Sequence, residues 1–92
     1  MQIGDLVRSV RGRDSGRVFL VVGERVGRVL VADGDVHPVD RPKAKNLRHV
    51  EHCGSAPPQL QERLLAGHQP NDAEVRTMIQ SMLEGGDAGA EG

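Results

Sequence analysis

A small, strongly bent β-barrel of about five strands, followed by one or two short α-helices, is the fold this sequence predicts. Three observations predict it. The first half of the 92-residue chain alternates short β-branched runs with glycine-containing turns, whereas the second half changes to helical spacing. The charge changes sign at the same boundary. Residues 1–52 carry ten Lys/Arg against seven Asp/Glu (+3), residues 53–92 carry two against six (−4), and the whole has a formal charge of −1. Finally, Val18–Val22 is an unbroken apolar run, which suits a strand covered on both faces.

The elements follow in order. Ile3–Val10 reads as a first strand, with Val7 and Ser9 on one side and Leu6, Arg8 and Val10 on the other. Arg11–Arg17 is a loop punctuated by Gly12 and Gly16. After strand Val18–Val22, Gly23-Glu24-Arg25 forms a tight connection to Arg28–Ala32, and Asp33-Gly34 signals a hairpin. Val36–Val39 contains Pro38 and is expected at a sheet edge. Asp40–Lys45 is a basic loop, and Asn46–Glu51 is the last strand.

A barrel is therefore expected over residues 1–52, a linker over 53–58, a helical extension over 59–84 and a disordered tail over 85–92. Within the extension, Leu60 and Leu64 share a helix face ahead of Gly67. Asn71 and Glu74 have the spacing of a reciprocal N-terminal cap. Val75, Met78, Ile79, Met82 and Leu83 then form one apolar stripe. That stripe is expected to pack on its own barrel; the alternative use is a partner or dimer surface.

Composition excludes several function classes. The chain is too short for an eight-stranded α/β-barrel. One Phe, with neither Trp nor Tyr, provides no platform for stacking bases. Cys53 is the only cysteine, so no disulfide can form within the chain. The longest apolar run has five residues, far short of a membrane span, and Met1–Asp5 lacks the features of a signal peptide. A reducing cytoplasm is the expected compartment.

The pattern Gly4-Asp5-Leu6-Val7 followed by Arg11-Gly12-Arg13-Asp14-Ser15-Gly16-Arg17 resembles the KOW motif of ribosomal proteins and transcription elongation factors. Val31–Asp35 and Arg41-Pro42-Lys43-Ala44-Lys45-Asn46-Leu47-Arg48-His49-Val50 narrow the likeness. Together these blocks resemble bacterial KOW-domain RNA-binding proteins, which are related to a large-subunit ribosomal protein family of eukaryotes and archaea. The resemblance spans roughly residues 2–51. It implies an SH3-like barrel and RNA binding, with ribosomal RNA as the expected partner. The acidic helical half lies outside it.

The residues supply a mechanism for such contact. Arg11, Arg13 and Arg17 present planar, bidentate donors suited to phosphate, and Gly12 and Gly16 let the backbone approach closely. Arg41, Lys43, Lys45 and Arg48 form a second basic cluster. Without aromatic platforms, recognition is expected to use phosphate, 2′-hydroxyl and shape.

No catalytic or metal centre is expected. His49, His52 and Cys53 lack the paired spacing of a zinc site, with only His37 or His68 to complete it. Asp33, Asp35 and His37 are better explained by turn chemistry than by acid–base catalysis. No Gly-Lys-Ser/Thr follows the glycine loop, so it is not a nucleotide-binding P-loop.

Overall fold

Val18–Val22 lies at the centre of the molecule because both of its faces are covered. In the computed structural model, which describes residues 1–91 and the side chains of residues 1–84, five strands form one antiparallel sheet in the order β4-β3-β2-β1-β5. The elements are β1 (Asp5–Ser9), β2 (Val18–Arg25), β3 (Arg28–Ala32), β4 (Lys43–Asn46), a 3₁₀ turn (Leu47–His49), β5 (Val50–Ser55), α1 (Pro58–Leu65) and α2 (Asp72–Glu91). This is a small β-barrel-like sheet with C-terminal helices, as its residue pattern requires.

Alternation along the strands creates two cores. Val7, Phe19, Val21, Val29, Val31 and Val50 fill the inside of the curled sheet. Leu6, Val18, Leu20 and Ala32 point outward and are covered by Leu60 and Leu64 of α1 and Val75 of α2. Met78, Ile79 and Met82 pack against the same outer core, so the helical stripe is spent on its own barrel, while Leu83 stays exposed. The first strand buries both of its faces: Leu6 faces the helices and Val7 the interior.

Several element boundaries differ from the sequence reading. Gly23-Glu24-Arg25 does not turn. It continues β2, because a bulge between Val21 and Gly23 absorbs the glycine within the ladder, and the turn falls at Val26-Gly27. Val36–Val39 is not a strand. One oxygen of the Asp33 carboxylate accepts the amides of Asp35 and His37, both at 2.9 Å, and folds the segment into a loop.

The basic stretch beginning at Lys43 is strand β4, paired with β3, rather than loop. Asn46–Glu51 is not one strand, since the Asn46 side chain accepts the Arg48 amide and starts the 3₁₀ turn. Cys53–Ser55, expected in a linker, extend β5 along β1, and the Ala56 amide then bonds to the Gly4 carbonyl. Barrel and helices are thereby joined without a free spacer.

Pro58 opens α1, where its missing amide costs nothing, and the chain leaves the helix at Gly67. The reciprocal cap of α2 forms as its spacing requires: the Glu74 amide donates to Asn71 at 2.8 Å, and the Asn71 amide donates to Glu74 at 3.0 Å. The backbone of α2 runs on through Glu91 instead of ending at Glu84. The side chains of the expected tail, and Gly92 altogether, lie outside the described residues.

Two polar links seat the first turn of α2 on the loop after β3. Asp72 accepts the Val39 amide at 2.8 Å, and Arg76 donates to the Gly34 carbonyl. Gly34 is required here: its φ is 77°, and a Cβ would collide with the Asp72 carbonyl oxygen.

Candidate nucleic-acid interface

The glycine loop Arg11–Arg17 is held from within. The Gly16 amide donates to the Ser9 carbonyl at 2.8 Å, Arg17 to the Asp14 carbonyl at 2.9 Å, and Ser15 to the Gly12 carbonyl at 3.2 Å. Gly12 and Gly16 take φ values of 83° and 91°, conformations that a residue with a Cβ rarely adopts. The loop is exposed except at Asp14, whose side chain turns inward.

The reason lies across the barrel. In the β3–β4 register, Lys45 stands opposite Val29 and Lys43 opposite Val31, and both valines belong to the inner core. Paired residues share a face, so both lysine stems lie on the inner side of the sheet, Lys45 buried there and Lys43 half exposed at its rim. The Lys43 ammonium lies 3.3 Å from Asp14 Oδ2, the Lys45 ammonium 3.5 Å from it, and His37 Nε2 also 3.5 Å from it. Lys45 further donates to Ser9 Oγ at 3.1 Å and to the Arg11 carbonyl at 3.4 Å. The His37 ring rests on Phe19, with centroids 5.7 Å apart.

A charged plug thus closes the apolar interior. Burial opposes the charge on Asp14, but the Lys43 ammonium beside it, together with the charges of Lys45 and His37, outweighs that cost. These partners hold its carboxyl below the ordinary value of 3.8.

The two sequence clusters meet at this plug. The Val10 amide also donates to the His49 carbonyl at 2.8 Å, which ties the start of the glycine loop to the 3₁₀ turn beside Arg48. The expected contact residues divide into two groups. Arg11, Arg13, Arg41 and Arg48 are exposed and form no ion pair among the described residues. Lys45 is buried, and its ammonium is occupied by the loop, so it is a holding residue rather than a surface donor.

Lys43 and Arg17 fall between these groups. Each is about half exposed, Lys43 against Asp14 and Arg17 against Asp33 at 2.8 Å. Arg8, Arg25 and Arg28, absent from the expected contact set, add three more exposed guanidinium groups on the strands, with no ion pair among the described residues. Arg25 and Arg28 flank the Val26-Gly27 turn directly. The signal was available in those flanking positions, but it depends on locating the turn correctly.

The remaining candidates are ordinary. Cys53 is half-buried in β5; burial pushes its thiol up, against the opposing pull of Arg8. His52 reaches Asp5 at 3.6 Å. Among the described residues, no group of three or more His, Cys, Asp or Glu side chains could hold a metal. No described helix is long and apolar enough to cross a membrane. A groove of about 690 Å³ lies between α1, α2 and the β1–β5 side, where Leu6, Leu60, Met78 and Met82 supply apolar lining. Its charged residues, Arg63 and Glu74, pair with each other at 2.7 Å.

Neither a known family model nor a curated protein matches the chain.

Proposed function

We propose that this is an RNA-binding protein of the KOW type, associated with the ribosome and gripping the RNA backbone through the exposed arginines of its barrel. The observation that carries the reading is the joining of two distant basic segments. Asp14, in one, pairs ionically with Lys43 and Lys45 of the other, while Arg11, Arg13, Arg41 and Arg48 of the same two segments remain exposed. Guanidinium groups around a glycine-shaped backbone suit phosphate oxygens. The charge split supports the same reading, because the basic residues are concentrated in the barrel. The alternative, a partner surface on the α2 stripe, has less support, since Val75, Met78, Ile79 and Met82 already face the outer core.

Engagement of about 4–6 phosphates would give a slope of log affinity against log salt of roughly −3 to −5, with little sequence preference. Sedimentation of the tagged protein through sucrose gradients at low and high salt tests the proposal. The expected result is co-migration with ribosomal or other RNA-containing fractions at low salt and release at high salt. Absence from those fractions at low salt overturns it. Replacing Arg11, Arg13 and Arg17 with Glu is expected to abolish retention.

A further inference from the structure

One acid stands inside the basic loop, and, like Asp33 but unlike Asp35 and Asp40, it is buried. Asp35 and Asp40 are exposed, whereas Asp14 is buried with its Oδ2 aimed at three nitrogens. Among the described residues, neither Asp14 Oδ2 nor His37 Nε2 has a hydrogen-bond partner of good geometry, so ionic attraction keeps the carboxylate in the barrel mouth. The Lys45 ammonium contacts the Asp14 carboxylate, the Ser9 hydroxyl and the Arg11 carbonyl together. It therefore pins the loop at its entry and at its middle, on both sides of Arg13.

We infer that Asp14 is a positioning residue for RNA binding: its buried carboxylate, seated on Lys43 and Lys45, holds the glycine loop in the shape that presents Arg11 and Arg13 to the RNA backbone. The inference rests on the RNA-binding reading above and predicts an effect opposite in sign to simple electrostatics. Removing a negative charge from a basic surface should tighten RNA binding. Removing this one releases the loop, so Arg11 and Arg13 must be ordered at the moment of binding, and affinity falls. Lys45, being buried, gains no access to RNA in exchange.

The test compares the full-length protein with Asp14→Asn, Asp40→Asn and the double variant Asp14→Asn with Lys45→Met. Binding to a mixed-sequence RNA hairpin is measured over a salt series, beside thermal unfolding. Asp14→Asn is expected to bind about five- to tenfold more weakly, with a salt slope shallower by about 1–2, despite its added positive charge. Asp40→Asn is expected to bind equally or slightly more tightly.

The double variant removes the ammonium left without its carboxylate, together with its bonds to Ser9 and Arg11. It is expected to recover thermal stability but not affinity. Affinity for Asp14→Asn equal to or above the parent overturns the inference. So does a double variant whose affinity returns along with its stability, since the role of Asp14 would then be structural only. Failure of the unsubstituted protein to bind the hairpin at low salt overturns the RNA-binding reading itself, a result distinct from both.

Discussion

The two faces of the central strands bury their residues by different means. Outward, Leu6, Leu20 and Ala32 meet hydrocarbon from α1 and α2. Inward, Val7, Phe19 and Val29 also meet hydrocarbon, but the barrel mouth is closed by Asp14, His37, Lys43 and Lys45. The first closure is non-directional and scales with the area removed from water. The second depends on which charge stands opposite which, and loss of one member leaves another uncompensated in a poorly hydrated place. The helix-covered face therefore secures stability. The mouth secures the geometry of a particular loop.

Substitutions can break this contrast or sharpen it. The largest effect is expected on the hydrocarbon side. Leu20 is fully buried, and Leu20→Ala should lower stability by about 3–5 kcal/mol in chemical denaturation, through lost transfer energy plus the cavity left behind. A loss under about 1 kcal/mol would mean that the helices collapse into the gap and that this face is less tightly packed than described.

Asp14→Asn should come next, at about 2–3 kcal/mol, because it strands the Lys45 ammonium. The contribution of Asp14 also has a definite pH direction. Its carboxyl is held below 3.8, so the stabilisation is complete above that value and disappears as pH falls through the folded-state value. Thermal melts between neutral and acid pH should diverge from those of Asp14→Asn when neutral and converge with them when acidic.

Asp72→Ala should cost about 1–2 kcal/mol, because the Val39 amide loses its acceptor where α2 meets the barrel. Exchange of the Val39 amide should accelerate with it. The smallest effect is expected at Glu74. Its pairing with Arg63 and its capping bond to the Asn71 amide hold its pKa down to about 2, but the group is exposed and screened by solvent. Glu74→Gln should leave the melting temperature nearly unchanged and remove the carboxylate transition centred at about pH 2 from the NMR titration.

Legibility from sequence followed the range of the interactions. The run from Val18, the Asn71–Glu74 cap and the Val75–Met82 stripe are signals carried by neighbouring residues, and each produced the element it predicts. Val36–Val39 does not form the expected strand because its amides are taken by carboxylates, His37 by Asp33 and Val39 by Asp72. Lys43–Lys45 reads as loop because of its charges and the proline before it, yet it is strand. Its strand character comes from pairing with β3, and its buried lysine is tolerated only because Asp14 arrives from more than two dozen residues away. The basic clusters were visible as composition. Which members face solvent depends on the β3–β4 register, which no local pattern encodes.

The pairing of β1 with β5 has a consequence for assembly. The first strand to leave the ribosome is completed by the last, since Asp5 lies opposite Ser55 and Ser9 opposite Val50. Until residue 55 is free, β1 can pair only with β2, and Leu6 lacks the helices that cover it. The β2–β3 hairpin, closed by two residues, can form early, whereas joining the two ends of the barrel requires a long loop to close. Formation of the native sheet is thus tied to the emergence of most of the chain, and during synthesis the nascent protein passes through a stage with an open edge and an uncovered apolar face.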